Sequence, residues 1–271
     1  MRRLFRSRSA VAAGCLLLAA AGSACDVNLG NGDFNLGLVS GQSVDTWTRA
    51  YTISPGGRLE VVNVNGLVQV EPGPGPGVEV RAERRAKASS DEAAKDLLGK
   101  VQMIEDVKGD AVRIEAKPPK WSGRGGVDIK FFVKVPSALR VVARTTNGGI
   151  KLVGLPNDVE ASTVNGGVEA EGVSGTLRVS STNGGVRLAL VGVGQGGLRA
   201  ETVNGGVHVE LPKDAKADVS ARVVNGGLGT DNLEIEAIGE QTRRRIEGKL
   251  NGGGPPIDLE TTNGGIHLTG K

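Results

Sequence analysis

The sequence is poor in aromatic residues, histidine and cysteine. Aromatic residues make up 3% of its 271 residues, and it contains 2 histidines and 2 cysteines. Glycine, in contrast, occurs 43 times. So much glycine with so few aromatic side chains argues against an ordinary globular α/β enzyme. The composition favours a fold with many turns and close packing of the backbone.

The first 24 residues have the layout of a secretory signal peptide. Four arginines precede a short apolar run from Ala10 to Ala21, and small residues follow it. The apolar run is too short to span a bilayer as a helix. We therefore expect residues 1–24 to be removed on export and residues 25–48 to form a lipid anchor and a flexible tether. The folded domain is then expected to occupy residues 49–271.

Cys25 lies where bacterial lipoproteins carry their lipidated cysteine. We expect lipidation at Cys25, which would make the membrane a partner through the lipid anchor of a cell-envelope lipoprotein. The preceding triplet matches the lipoprotein cleavage motif only loosely. Cleavage after Ala24 is the alternative, and it would give a soluble periplasmic or secreted protein. In either case at most one cysteine stays in the mature chain, so no intrachain disulfide bond can form.

The basic character of the whole chain comes from its N-terminus. The chain has 33 basic and 30 acidic residues, and removal of the four N-terminal arginines leaves 29 basic residues against 30 acidic ones. A mature protein with almost no net charge lacks the basic surface that nucleic-acid-binding proteins use. We therefore expect no nucleic-acid partner.

The phrase Asn-Gly-Gly occurs seven times. Successive asparagines are first 18 or 21 residues apart and then 38 residues apart, about two periods, and Asn251 alone lies off this register. The asparagines in register are Asn147, Asn165, Asn183, Asn204, Asn225 and Asn263. Apolar residues recur four and six residues before these asparagines and three and five residues after them. This alternation predicts two short strands with one buried face, joined at a sharp corner.

A repeat of this size is typical of one coil of a β-solenoid. A single repeat is too small to bury a core, so neighbouring repeats must stack. We predict an all-β, single-domain parallel β-solenoid (β-helix) with Asn-Gly-Gly corners. A β-sandwich of Asn-Gly hairpins is the alternative. The solenoid is favoured because like residues recur once per period instead of mirroring about each turn.

The asparagines share the parity of the buried columns. We therefore expect the six side chains to point inward and to form a hydrogen-bonded ladder between coils about 4.8 Å apart. The hydroxyl residues two positions earlier are expected to form a second ladder, and both glycines to supply positive φ angles. The repeated phrase is thus predicted to be a structural corner and not a ligand motif.

The segment before the repeats contains one predicted helix. Ser89 or Ser90 can cap a helix over about residues 90–107, which has an apolar stripe and would cover an end or a side of the solenoid. Further upstream, residues 61–70 follow the repeat pattern with a single glycine and are expected to form an early coil.

No catalytic, cofactor-binding or metal site emerges from the sequence. The Gly-rich run at 191–197 lacks the strand and helix of a dinucleotide motif, and apolar residues follow Gly-Gly where calcium-binding repeats need Asp. His208 and His267 share an outward column, but about three coils, roughly 14 Å, are expected between them. Outward acids do not pair on adjacent coils as they would in a solenoid enzyme. We therefore expect no enzyme and no cofactor.

One loop is a candidate binding surface. Trp121 lies in a Gly/Pro-rich basic loop with Lys120 and Arg124, and a tryptophan in such a loop can stack on a sugar or hold a partner. The competing interpretation, which we favour, is that Trp121 packs as a cap over one end of the solenoid.

Several longer stretches carry a family resemblance over roughly residues 50–271. They are VEVRAERRAKASSDEAAKDLL, VKVPSALRVVARTTNGGIKLVGL, the repeated TVNGGV and the closing LNGGGPPIDLETTNGGIHL. The chain resembles the bacterial β-strand-repeat proteins of the "putative adhesin" family, a domain of unknown function. The resemblance implies an extracytoplasmic β-solenoid and no catalytic residues.

The expected function follows from the export signal, the repeats and this resemblance. We expect a non-enzymatic cell-envelope protein that serves as an adhesin-like scaffold or binding surface for a cell-wall, glycan or envelope protein partner. A polysaccharide-active β-helix enzyme and an envelope-stress sensing module are the alternatives.

Overall fold

The computed structural model describes residues 40–120, 124–239 and 241–271, which are mostly β-strand. The first part comprises β1 (Gly41–Thr52), β2 (Arg58–Val62), β3 (Val68–Pro72), β4 (Gly77–Ala88), α1 (Asp91–Gly99), β5 (Gln102–Lys108), β6 (Ala111–Lys117) and β7 (Gly126–Val135). The repeats form β8 (Arg140–Asn147), β9 (Ile150–Val153), β10 (Val159–Asn165), β11 (Val168–Val173), β12 (Leu177–Asn183), β13 (Val186–Leu190), β14 (Leu198–Asn204), β15 (Val207–Leu211), β16 (Ala217–Asn225) and β17 (Leu228–Asp231). The last part comprises β18 (Ile235–Ala237), β19 (Arg245–Leu250), β20 (Pro256–Asn263) and β21 (Ile266–Gly270).

These strands form two large, mostly parallel sheets. The ten-strand sheet has the order β1-β4-β7-β3-β9-β11-β13-β15-β21-β17, and the eleven-strand sheet has the order β18-β19-β16-β20-β14-β12-β10-β8-β2-β6-β5. Each coil gives one strand to each sheet, and in the repeats an Asn-Gly-Gly corner joins the two strands. Equivalent residues of neighbouring coils pair in register, for example Val159 with Leu177 and Asn165 with Asn183. The predicted parallel β-solenoid is confirmed.

The core lies between the two sheets and consists of stacked aliphatic columns. The column six residues before each corner is at most 3% exposed throughout, and its members are Val141, Val159, Leu177, Leu198, Val219 and Ile257. Burial of each such side chain stabilises the fold by about 1.5–3 kcal/mol. Because every coil adds the same columns, the core extends the length of the solenoid.

The coils do not stack in chain order at either end. The last coil of the chain, β20–β21, lies between the coils β14–β15 and β16–β17. At the other end, the coil β2–β3 lies between β6–β7 and β8–β9. Stacking in chain order, on which the expected spacing of the histidines rested, is therefore wrong.

A hairpin explains why the last coil can turn back. Strands β18 and β19 pair with each other, and β19 pairs antiparallel with the outer edge of β16. An exposed parallel edge would invite pairing with another chain, and an antiparallel strand across it reduces that risk. The 38-residue gap between Asn225 and Asn263 contains this hairpin, so it does not represent two missing periods.

The helix is shorter than the sequence indicated. It covers Asp91–Gly99, and the Ser90 hydroxyl caps it by accepting from the Ala93 N–H at 3.2 Å. The predicted range of 90–107 is wrong at its C-terminal end, because residues from Gln102 onward pair antiparallel with β6. Ile104 is 40% exposed in that edge strand instead of packing on a helical stripe.

The folded region begins earlier than expected. Strand β1 starts at Gly41 and pairs along its whole length with β4, so residues 41–48 belong to the sheet and not to the tether predicted for 25–48. The predicted signal peptide, Cys25 and the remainder of the tether lie outside the described residues. No helix in the described ranges has both the length and the apolar character needed to cross a membrane.

A tyrosine links the edge strands of the two sheets at the N-terminal end. The Tyr51 hydroxyl of β1 donates to the Glu105 carboxylate of β5 at 2.5 Å, and the Arg49 guanidinium donates to the same carboxylate at 3.1 Å. Burial raises the pKa of Tyr51, and the hydrogen bond to Glu105 raises it further. The neutral phenol is therefore the form that the folded protein prefers.

Ionisation of Tyr51 should accordingly destabilise the fold at high pH. A raised folded-state pKa contributes stability that is fully present below the ordinary value of about 10 and is lost as the pH rises beyond it. Tyr51 is the only tyrosine of the chain, so tyrosinate absorbance reports on it alone. We expect the native protein to titrate at distinctly higher pH than the urea-unfolded protein, and Tyr51→Phe to lose stability less steeply above pH 10. Equal titration of native and unfolded protein would contradict this account.

Candidate functional site

The corner asparagines form one continuous hydrogen-bonded ladder. Each side-chain amide donates to the amide oxygen of the asparagine on the neighbouring coil at 2.7–2.9 Å. In spatial order the ladder runs through Asn65, Asn147, Asn165, Asn183, Asn204, Asn263 and Asn225. The predicted ladder thus exists, and the early coil adds Asn65 to it.

The predicted inward orientation of these asparagines is wrong. The six asparagines from Asn147 to Asn263 are exposed, because the chain turns at the corner and the alternation of the strand ends there. The buried polar residues are the hydroxyl residues two positions earlier, such as Thr202, which is 4% exposed. Their hydroxyls do not form a ladder with one another. Each donates to the carbonyl of the first glycine on a neighbouring coil, as Thr202 does to Gly184 at 3.0 Å.

The two glycines of each corner have different roles. The first lies against the neighbouring coil: a Cβ on Gly184 would lie 2.1 Å from the Gly166 carbonyl oxygen. The second has more room, since a Cβ on Gly185 would lie 3.5 Å from its nearest neighbour, the Gly206 oxygen. The prediction that both glycines supply positive φ angles is wrong for the second, because Gly185 and its equivalents do not have one.

The second glycines form the floor of a long groove. The groove has a volume of about 990 Å³ and runs along the corner from Leu67 on the early coil to Gly229 on the terminal coil. Its floor glycines are Gly149, Gly167, Gly185, Gly206, Gly265 and Gly227. Outward side chains of the ten-strand sheet form one wall, in the order Lys151, Glu169, Arg187, His208 and His267. We call this feature the corner groove.

The two histidines lie side by side in the corner groove. Their rings stack with centroids 5.4 Å apart and planes 8° apart. The expectation that about three coils separate them is wrong, because β21 inserts directly beside β15. His267 contacts Asp231 at 2.7 Å and His208 contacts Glu210 at 3.5 Å. Even so, no group of three or more His, Cys, Asp or Glu residues within the described ranges could hold a metal ion.

The opposite, eleven-strand sheet carries a cluster of acids that the sequence analysis missed. Glu201 and Glu260 lie on adjacent strands in register, contrary to the expectation that no acidic pair occurs on adjacent coils. The side chain of Arg199 donates to Glu201, and this hydrogen bond raises the pKa of Arg199. The cluster lines a small depression of about 200 Å³ together with Arg222 and Asp258. Its charges are mixed, and one of the paired carboxylates is already bound to an arginine.

A second charge network on that sheet stabilises the N-terminal coils. The Glu60 side chain is only 13% exposed and accepts from Arg113 at 2.7 Å and from Arg144 at 3.0 Å. These residues belong to the adjacent strands β6, β2 and β8, and Arg144 continues the network to Glu160 on β10. The carboxylate of Glu60 thus links coils whose spatial order differs from their order in the chain.

Removing the charge of Glu60 should be costly. We expect Glu60→Gln to lower the free energy of unfolding by about 1–2 kcal/mol, because two arginines lose a half-buried anionic partner. Glu201→Gln is the matched control, since that carboxylate is 39% exposed and pairs with one arginine. Exposed pairs contribute little, so the control should change stability by about 0.5 kcal/mol or less. Equal effects in urea denaturation would refute the special role of Glu60.

The predicted binding loop stays a prediction. Trp121 lies outside the described residues, whereas Lys120 and Arg124 are exposed on either side of it. The corner groove was not predicted, although its wall residues had been recognised as an outward column. The available cue was the glycine column beside them, because a row without side chains leaves a depression next to a row that has them.

Comparisons with solved structures give low similarity. A "putative cell adhesion protein" from Clostridium sporogenes is 12% identical, with 84% of this chain and 100% of that chain covered and a TM-score of 0.45. A "putative adhesin" from Bacteroides fragilis is 12% identical over 84% of this chain and 97% of that chain, with a TM-score of 0.34. A "putative adhesin" from Parabacteroides distasonis is 14% identical over 85% and 98%, with a TM-score of 0.29. No curated protein matches the chain.

A family profile gives the assignment. The profile of the family described as Toastrack DUF4097 matches residues 23–269, which include every Asn-Gly-Gly corner of the chain. The match confirms the resemblance on which the expectation of an adhesin-like family rested. The chain belongs to the Toastrack DUF4097 family.

Proposed function

We propose that the protein is a non-enzymatic cell-envelope protein that holds an extended glycan strand in the corner groove. The observation that carries the proposal is the groove itself, with its continuous glycine floor and its one polar wall. It crosses seven coils, or about 29 Å at the usual spacing of about 4.8 Å between strands. A groove of that length suits a linear polymer better than a compact small molecule.

The repeat of the groove favours a glycan over a peptide. A sugar in an extended β-linked glycan advances by nearly the spacing of one coil, so successive sugars can meet equivalent residues. A residue of an extended peptide advances by only about 3.3 Å and falls out of step with the coils. A glycine floor also lets flat sugar rings approach the backbone closely.

The wall supplies the polar groups that hydroxyl-rich ligands need. Lys151 and Arg187 donate hydrogen bonds, and Glu169 between them accepts. The stacked rings of His208 and His267 add donors, acceptors and a flat face. A few polar groups at fixed positions beside an open floor are typical of ligand sites.

The solenoid also makes the groove rigid before a ligand arrives. The asparagine ladder and the bonded first glycines hold every corner at a fixed distance from the next. Preorganisation of this kind reduces the entropy lost on binding. The proposed role is therefore that of a scaffold that presents a fixed linear surface.

Binding of oligosaccharides of defined length tests the proposal. We would titrate the purified protein with β-1,4-linked N-acetylglucosamine oligomers of increasing length by calorimetry. We expect affinity to rise with each added sugar until the oligomer fills the groove. Gly185→Val should weaken binding about tenfold or more, since it places a side chain on the floor without contacting backbone closely.

A matched pair of arginines separates specific from general effects. Arg187→Ala removes a wall donor, whereas Arg178→Ala removes an exposed arginine of the eleven-strand sheet. We expect only the first to weaken binding. No binding at any length, or binding that Gly185→Val leaves unchanged, would overturn the proposed ligand and groove.

Membrane anchoring through Cys25 is part of the proposal and has its own test. The N-terminal pattern of arginines, apolar residues and small residues before Cys25 supports export and lipidation. Cells that express the protein would be labelled with a lipid analogue. We expect label in the wild type and none in Cys25→Ser. Export with cleavage after Ala24 would instead leave both proteins unlabelled.

A polysaccharide-active enzyme is the second candidate. Its support is the Glu201–Glu260 pair, because glycosidases use two carboxylates. The test is hydrolysis of reducing-end-labelled oligosaccharides by the purified protein. Turnover that Glu260→Gln abolishes would favour this candidate and end the non-enzymatic proposal.

A further inference from the structure

Each Asn-Gly step of the chain is a potential site of spontaneous chemistry. The backbone nitrogen of the glycine can attack the carbonyl carbon of the preceding asparagine side chain. Glycine favours this attack because no side chain hinders it. Whether the reaction occurs depends on the freedom of that nitrogen, and the corners of the solenoid differ in this respect.

Most corners hold the glycine nitrogen in a hydrogen bond. Six N–H groups, those of Gly66, Gly148, Gly166, Gly184, Gly205 and Gly264, donate to an asparagine carbonyl of a neighbouring coil at 2.8–3.0 Å. A nitrogen held as a donor cannot lose its proton and turn toward the side chain without breaking the corner. In the interior of the solenoid, such opening is costly.

The corner at Asn225 differs. The coil β16–β17 is the last in space, so the Gly226 N–H has no acceptor within the part of the chain that the structure describes. Gly226 is exposed, whereas the other six first glycines are half-buried. Val223 also replaces the hydroxyl residue that bonds to the neighbouring glycine in the preceding coils. The end of the asparagine ladder is therefore its least constrained step.

We propose that Asn225 is a deamidation site built into the end of the ladder. The Gly226 nitrogen bonds to the Asn225 side-chain carbon, its proton goes to solvent, and the side-chain nitrogen leaves as ammonia. The resulting cyclic imide is opened by water, which gives aspartate or isoaspartate at position 225. Water is the only co-reactant, and nothing is oxidised or reduced.

The other exposed Asn-Gly step of the described chain provides a contrast. The Asn251 side-chain amide donates to the carbonyls of Lys213 at 2.9 Å and Ala215 at 2.8 Å. Two carbonyl acceptors hold this nitrogen, whereas the Asn225 amide has the single bond to Asn263 at 2.9 Å. Asn251 therefore reacts more slowly than Asn225 and faster than the interior corners.

The product changes the terminal coil. An aspartate at position 225 has no amide hydrogen for the Asn263 oxygen and sets two oxygens against each other. An isoaspartate lengthens the backbone at the corner and shifts the register of β17 against β21. Either product loosens the end of the corner groove at Gly227 and Leu228.

Peptide mapping of aged protein tests this inference. The full-length protein is incubated in mildly alkaline buffer, and deamidation at each asparagine is followed by mass spectrometry with fragmentation. We expect Asn225 to convert about tenfold or more faster than Asn183, in line with the cost of opening an interior coil. In urea-unfolded protein the two rates should become similar, which shows that the fold and not the sequence sets the difference.

Two outcomes would overturn the inference. One is conversion of Asn225 at or below the rate of Asn183 in the folded protein. The other is faster conversion of Asn251 than of Asn225, which would show that the bonds to the leaving nitrogen do not control the rate. Neither result depends on a ligand of the corner groove.

Discussion

Replacing Gly184 with alanine is expected to unfold the protein, whereas the same replacement at Gly185 leaves its stability almost unchanged. A Cβ on Gly184 would lie 2.1 Å from the Gly166 carbonyl oxygen, and a backbone atom of a neighbouring coil cannot yield without breaking the stack. We expect a loss of about 3 kcal/mol or more at Gly184, at the upper end of what overpacking costs. Gly185→Ala should cost less than about 1 kcal/mol, since its nearest contact is 3.5 Å.

The two variants control for each other because they differ by one position in the same corner. Urea denaturation followed by circular dichroism measures both. Equal stabilities would mean that neighbouring coils do not contact at the first glycine. The ladder geometry would then be wrong.

Removal of the last coil is expected to abolish folding altogether. A chain that stops at Gly254 lacks β20 and β21, which in space lie inside the stack and not at its end. The truncation removes Ile257, Leu259, Ile266 and Leu268, all buried. It also leaves the coil β16–β17 without a partner on its inner side. A solenoid whose last coil lay at the end would lose only one interface and stay folded.

A leucine pair gives the same test without truncation. Leu268 is fully buried in β21, whereas Leu228 is half-buried in the terminal strand β17. We expect Leu268→Ala to lower the free energy of unfolding by about 3–4 kcal/mol and Leu228→Ala by about 1 kcal/mol. A folded truncated protein, or a larger effect at Leu228, would indicate stacking in chain order.

The strands and the buried columns could be predicted because they depend on local alternation. Side chains of a strand point alternately to its two faces, so the sequence near Val159 or Leu177 identifies the inward residues without any knowledge of neighbours. The same rule fails at the corner. The asparagines lie where the strand ends and the chain turns, and their parity no longer gives their direction.

The order of the coils could not be predicted in the same way. Equivalent columns make every coil a suitable neighbour for every other, so the pattern defines what stacks and not in which order. One cue was present in the residue before each corner asparagine. In spatial order these residues alternate strictly between valine and threonine: Val64, Thr146, Val164, Thr182, Val203, Thr262 and Val224. In chain order the alternation breaks at Val203 and Val224.

The error in coil order also hid the features of the candidate site. The pairs His208–His267 and Glu201–Glu260 arise only because the last coil inserts beside β14–β15. The helix was predicted too long for a different reason. The apolar residues beyond Lys100 fit a helical stripe, but they also fit an edge strand, and pairing with β6 decides between the two.

Engineered disulfide bonds test the inserted coil most directly. In a Cys15→Ser, Cys25→Ser background, one variant carries Glu201→Cys with Glu260→Cys, and the other carries Glu201→Cys with Arg222→Cys. Glu201 and Glu260 are partners on adjacent strands, and Arg222 lies one strand further on. The first Cα pair is then about 4.8 Å apart and the second about 9.6 Å, beyond the reach of a disulfide bond.

Mass spectrometry of the oxidised, unreduced proteins gives the answer. The structure predicts an intramolecular disulfide bond between positions 201 and 260 and none between positions 201 and 222. A bond between 201 and 222, with free thiols in the 201 and 260 variant, would contradict the inserted coil and the corner groove derived from it.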